Sequence, residues 1–419
     1  MKRLFAIVCV LLLMSGCATN KQGEGITPKS VADMLLMKDY DTLLENSSEE
    51  FNQKLPKSAL ANIFDGFSDK YKIIQTNDLP DVENAKVYEV LVELEDKLLT
   101  LKITIKDDKL IDLFYNTSNK PSNNNFKETR VSLGDSNITI KGTILEPEER
   151  SYPLVIIVGD SGPLDRNGTI GENTFYLDLA HKLGQNNIGS IRVEKASARG
   201  DIDDISDMLN EEYIEAFNYV INMALDNKTY SKVYVLGHGL GGMVAPHIVR
   251  EKEIDGMMIV NSSLRAFEDI MYDQKMLDLD STINSLSSED IQARKTKYEA
   301  DHQLIKNNPD SNDFAFNTLP ISYFKDVNQI NTANTINELN MPVLIMHGEN
   351  NLHYSLEEDY NSYQNSLDSK DTITYATFAN LNHLMMKTDG EDINECLKDG
   401  EISEDFINKV KEFIMQWEK

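Results

Sequence analysis

Six short, mostly apolar runs recur at residues 154–158, 189–193, 233–236, 256–260, 343–346 and 373–376, with helix-length segments such as 174–183 and 211–224 between them. Runs of this length with little alternation are strands buried on both faces, and strands separated by helices pair in parallel. The pattern predicts an α/β fold in which a mostly parallel sheet is covered on both sides and is entered through two leading strands at 130–133 and 138–145. A charged, largely helical stretch from 267 to about 312 interrupts the rhythm after the run at 256–260, in the place of a cap; the cap as a whole is expected over about 262–325.

The first 127 residues follow other rules. Lys2 and Arg3 precede an apolar segment, 4–13, and then Met14-Ser15-Gly16-Cys17. A positive start, a short apolar core and small residues before a cysteine form a secretory signal, and the last four residues resemble a bacterial lipobox. The resemblance implies cleavage of residues 1–16 and diacylglyceryl attachment to Cys17. The apolar core is shorter than the ~20 residues that span a bilayer. The expected product is a lipid-anchored extracytoplasmic protein with a polar tether over 17–26. Of the three cysteines, Cys9, Cys17 and Cys396, two fall in this segment, so no disulfide framework is available. Helical periodicity after residue 27 gives way to β-type runs at 87–92, 98–105 and 110–114, which predicts a small α+β domain over 27–115. The Asn-rich stretch that follows reads as a linker, 116–127.

A formal net charge of −28, from 41 Lys+Arg against 69 Asp+Glu, repels polyanions and excludes nucleic acid as a partner. No P-loop and no dinucleotide fingerprint is present, and the histidines have no metal-ligand spacing, so neither cofactor nor metal is expected.

Residues 233–242, Val-Tyr-Val-Leu-Gly-His-Gly-Leu-Gly-Gly, have the strand–turn–helix setting and glycine spacing of a nucleophile elbow. Together with Gly159-Asp160-Ser161-Gly162 after a buried strand, His347-Gly348-Glu349-Asn350-Asn351 after another, and Leu381-Asn382-His383, they resemble an α/β-hydrolase of the serine esterase or peptidase type over 128–419. The resemblance implies a nucleophile at Gly239, an acid at Asn351, a base at His383, and an oxyanion hole around Ser161 and Leu240.

Two of the three triad positions depart from the pattern. Gly239 has no side chain to attack with, and Asn351 cannot balance an imidazolium. Loss of a triad nucleophile costs on the order of 10⁶ in turnover, about 8 kcal/mol. Glycine nonetheless keeps the positive-φ turn that an elbow needs. Asp160 would oppose a developing oxyanion. The expected function is therefore a catalytically degenerate hydrolase domain that binds a small-molecule or peptide ligand or a protein partner, tethered to the membrane through Cys17. Two alternatives stand beside it: an active extracytoplasmic ester or amide hydrolase, and an interaction protein acting through 27–115. Glu349 is a candidate substitute orienter of His383, and the loop 192–200 is expected to shape the mouth of the pocket.

Overall fold

The computed structural model describes residues 26–416 apart from 83, 95–96, 120–124, 135–137, 201, 203, 282–285, 312, 317–318 and 368. The lipobox and Cys17 lie outside the described residues. The chain divides into two compact units, Met1–Leu94 with Leu101–Tyr115, and Glu95–Thr100 with Asn116–Lys419.

The first unit opens with four short helices, α1 Pro28–Leu36, α2 Tyr40–Glu45, α3 Glu49–Lys54 and α4 Lys57–Phe64. Thr27 caps α1 by accepting from Ser30 N, and Pro28 sits in the first turn where its missing N–H costs nothing. These helices bury Val31, Leu35, Leu43, Phe51, Leu60 and Phe64. They are followed by an antiparallel sheet in the order β1 Lys72–Val82, β2 Ala85–Glu93, β3 Lys97–Lys106 and β4 Lys109–Asn119. The sequence pattern predicts three of these strands and misses β1. That strand carries Gln75, Thr76, Asn77 and Asp78 and buries no residue fully, so its conformation comes from pairing with β2 rather than from its own apolar content. The polar stretch assigned to a linker is shorter than expected, because β4 continues to Asn119 and the next strand begins at Phe126.

The second unit is built on an eight-stranded sheet of β5 Phe126–Gly134, β6 Thr139–Pro147, β7 Tyr152–Val158, β8 Gly189–Val193, β9 Tyr230–His238, β10 Gly256–Val260, β11 Val343–Gly348 and β12 Ile373–Phe378. Across the sheet the order is β5-β6-β8-β7-β9-β10-β11-β12. β6 pairs antiparallel with both neighbours, and every pair from β8 to β12 is parallel. Side chains alternate between two cores. Leu154, Ile156, Val158, Val233, Val235, Met257 and Ile259 join the core shared with helices α6 Glu215–Asp226 and α7 Leu240–Val249. Val155, Ile157, Tyr234, Leu236, Met258 and Val260 join the other, under α5 Phe175–Gly184 and α12 Glu404–Gln416. A sheet that is apolar on both faces and sandwiched by helices explains why its strands lack a polar alternation.

Between β10 and β11 the chain inserts α8 Phe267–Ser281, α9 Ser288–Asn307, α10 Ile321–Gln329 and α11 Thr332–Glu338. This is the predicted helical cap, extended past residue 325 because α11 also precedes the return to the sheet. Phe267, Phe316, Tyr323 and Phe324 pack inside it, whereas Phe314 is exposed.

Candidate active site

Strand β9 ends at His238 and α7 begins at Leu240, so Gly239 alone turns the chain, at φ 54° and ψ −122°. Such a turn is strained for residues with a β-carbon and free for glycine. A β-carbon at Gly239 would also lie 2.0 Å from Asp160 Oδ1 and 2.1 Å from its Cγ. The volume that a nucleophile's side chain would need is occupied by the carboxylate of Asp160.

Asp160 follows β7 by two residues, and its carboxylate is fully coordinated. Oδ1 accepts from the backbone N–H of Ser161 and of Leu240, both at 2.6 Å, and from the Tyr354 hydroxyl at 3.4 Å. Oδ2 lies 2.9 Å from His383 Nε2. The N-terminus of α7 adds its dipole, which favours an anion at Leu240. Burial alone would raise the pKa of this carboxyl, but the hydrogen bonds from His383 and the Leu240 amide outweigh it and hold the group well below the usual carboxylate range. Asp160 is therefore an anion at neutral pH.

The loop carrying it is pinned from behind. Tyr213 donates to the Asp160 carbonyl at 2.8 Å, and Lys195 Nζ donates to the same oxygen at 2.7 Å. Lys195 in turn is bonded to Tyr213 at 2.8 Å and paired with Glu212 at 3.2 Å, with both charged side chains almost wholly buried. Tyr323 of α10 donates to Glu212 at 2.8 Å, which ties the cap to this strut.

On the other side the Asp160 N–H donates to Tyr176 Oη at 2.7 Å, Tyr176 bonds His238 Nδ1 at 3.1 Å, and His238 Nε2 bonds the His383 carbonyl at 2.9 Å. His238 is neutral in this chain, since burial first of all pushes its pKa down.

His383 is buried, its ring stacked on Tyr354 at 5.5 Å and lying 4.3 Å from that of His238. Desolvation, followed by the neighbouring His238, drives its pKa down, so the neutral ring donates its Nε2–H to the Asp160 anion. Asn351 follows β11 and is also buried; its Oδ1 accepts from His353 N at 2.9 Å and Tyr354 N at 3.3 Å.

The structure thus brings together every predicted site residue among those described: Gly239, Ser161, Leu240, Asn351 and His383. One expectation is corrected. Glu349 bonds Thr377 Oγ1 at 2.7 Å on the surface and has no part in orienting His383. Within the 192–200 segment, Arg192 and Lys195 are interior anchors, Arg192 against Glu128 and Asn167, while Glu194, Ala196, Arg199 and Gly200 line a cavity.

Among the described residues, one group offers metal-ligand geometry: Asp160, His238 and His383, with donor atoms within 4.8 Å of one another. Both ring nitrogens of His238 are already engaged and the carboxylate is saturated by hydrogen bonds, so this trio does not fit a metal without dismantling its own network.

Comparison with known proteins places the fold. No family model matches the chain. Esterase EstD of Thermotoga maritima is 23% identical over 408 residues, which cover 91% of this chain and 93% of that protein. The chain has the α/β-hydrolase fold. Among solved structures, this chain is similar to Est1E from Butyrivibrio proteoclasticus, with a TM-score of 0.46 and 14% identity over 69% of this chain and 98% of that one. It is also similar to the Pyrococcus furiosus esterase Pf2001, with a TM-score of 0.44 and 15% identity over 70% of this chain and 92% of the other.

Sequence reasoning missed the Lys195–Glu212–Tyr213 strut and the contribution of Tyr354. A basic residue after the fourth strand and paired Glu-Tyr at a helix start were visible, but nothing in their spacing marks them as neighbours.

Proposed function

We propose that this protein is a cell-envelope lipoprotein, anchored through Cys17, whose α/β-hydrolase domain is catalytically degenerate and binds a small ligand or partner on a preserved scaffold. The observation that carries the degenerate reading is the Asp160 carboxylate, seated 2.0 Å from where a β-carbon at Gly239 would stand and accepting both backbone amides at the elbow. Acyl transfer needs a nucleophile and an empty oxyanion site, and here one anion fills both places. The esterase relative supports an ancestry in ester hydrolysis, and the lipobox supports the envelope location.

Fluorophosphonate labelling and ester hydrolysis test the first half. The parent, Gly239→Ser and Gly239→Ser/Asn351→Asp are expected to stay silent, because a serine introduced at 239 meets Asp160. Adding Asp160→Gly clears the space, and that triple variant is expected to label at residue 239. Labelling of the parent at any residue overturns the degenerate reading and favours an active hydrolase. For the anchor, the full chain expressed in a bacterial host is expected to partition with detergent, and Cys17→Ser is expected to release it to the aqueous phase; equal partition of both forms overturns the lipoprotein assignment.

A further inference from the structure

Two buried polar atoms at the heart of the site have no hydrogen-bond partner among the described residues: Asn351 Nδ2 and His383 Nδ1. The orientation of the Asn351 amide is fixed by its other end, since Oδ1 receives the backbone N–H groups of His353 and Tyr354. The nitrogen end is therefore a donor in need of an acceptor. The His383 ring has the opposite need. Its Nε2 faces the anionic Asp160 and must carry the proton, which leaves Nδ1 with a bare lone pair. The rings of His353 and Tyr354, the residues whose amides hold Asn351, lie 5.0 and 5.5 Å from the His383 ring, which sets the loop that carries Asn351 beside the imidazole. A buried donor and a buried acceptor each cost about 1–3 kcal/mol when left unsatisfied, and one water between them would satisfy both.

We propose that Asn351 is a positioning residue that donates toward His383 Nδ1 and locks the imidazole as the neutral Nε2–H tautomer, so that the relay runs from Asn351 through His383 to Asp160. In a serine triad the hydrogen bonds run the other way, from nucleophile to Nε2 and from Nδ1–H to the acid. The reversal matches the move of the negative charge from the acid position to the nucleophile's place. It rests on the reading that Asp160 fills that place, and it adds a definite state for the histidine.

The groups facing His383 are Asp160 from the loop after β7, His238 at the end of β9, and His353 and Tyr354 from the loop after β11. Long-range ¹H–¹⁵N correlation spectra of the full chain, labelled at histidine, read the tautomer directly, with His383 assigned through its contacts to the Tyr354 ring. The parent is expected to show Nε2 protonated and Nδ1 unprotonated from pH 8 down to pH 5. In Asn351→Asp, a carboxylate on each side of the ring is expected to hold an imidazolium at pH 7, with both nitrogens protonated. A parent ring protonated at Nδ1, or charged at pH 7, overturns the proposal without need of any variant, as does an Asn351→Asp protein whose tautomer is unchanged. A parent that is silent to fluorophosphonate yet carries Nδ1–H would sink this inference while leaving the degenerate reading intact.

Discussion

Gly239 and Asp160 compete for one volume, and the outcome of a substitution at either depends on the other. Gly239→Ala adds a β-carbon at positive φ, a strain of about 1–3 kcal/mol, and drives the Asp160 carboxylate off two amides and His383. In Asp160→Gly/Gly239→Ala the clash is gone and only the backbone strain remains. Urea denaturation of the four proteins is expected to give a coupling of about 1–3 kcal/mol, with the double variant closer to Asp160→Gly than Gly239→Ala is to the parent. Additive losses would mean that the carboxylate does not fill the elbow. The resemblance to α/β-hydrolases located Gly239, Ser161, Leu240, Asn351 and His383, each shortly after a strand end. It flagged Asp160 only as an intruder, since the bonds that give it meaning reach residues 80 and 223 positions away. Charge makes the same point: Asn351 is neutral where the pattern has an acid, and Asp160 restores one negative charge beside His383 from the opposite side.

The strut behind Asp160 is a property of elements rather than of single positions. A π-helical turn, Asn210–Ile214, precedes α6, and its wider winding turns the consecutive residues Glu212 and Tyr213 both inward. Lys195 meets them from the segment after β8, and Tyr323 meets Glu212 from α10. Burial foremost lowers the Lys195 pKa, and Glu212 and Asp160 partly offset it. Lys195→Met would leave Glu212 buried without its cation, and chemical denaturation is expected to register a loss of about 3–5 kcal/mol. Lys195→Met/Glu212→Leu is expected to recover most of that loss, because removing both charges also removes their desolvation cost. A single variant as stable as the parent would show that the pair does not hold the loop. The same scale shows which elements could be read in advance. Strands β7, β8, β10 and β11 were legible from continuous apolar content, since both their faces are buried. Strand β1 was not, because its order derives from its neighbour β2.

Across the whole molecule, burial sets a shared pH response. His238, His347, His353 and His383 all have pKa values lowered chiefly by desolvation, His347 to about 4. Below an unfolded-state value of about 6.5 the unfolded chain takes up protons that these rings refuse, so their contribution to stability is present at neutral pH and is lost as the pH falls. Asp160 acts in the same sense, since its lowered pKa stabilises the fold above the usual carboxylate range and that contribution disappears on protonation. Two features oppose them. Asp178, pushed up to about 6 by burial, favours the folded state on acidification, and a net charge of −28 repels itself less as carboxylates are neutralised. The parent's stability curve therefore mixes signs, and a difference between two proteins isolates one of them. For His347 the window runs from about 6.5 down to about 4, worth about 3 kcal/mol at 1.36 kcal/mol per pH unit. The stability of His347→Leu relative to the parent is expected to rise by that amount between pH 7 and pH 4, as read from urea unfolding at each pH. A difference that stays constant over the range would mean that His347 titrates alike in both states, and burial would then not be what governs the histidines of this core.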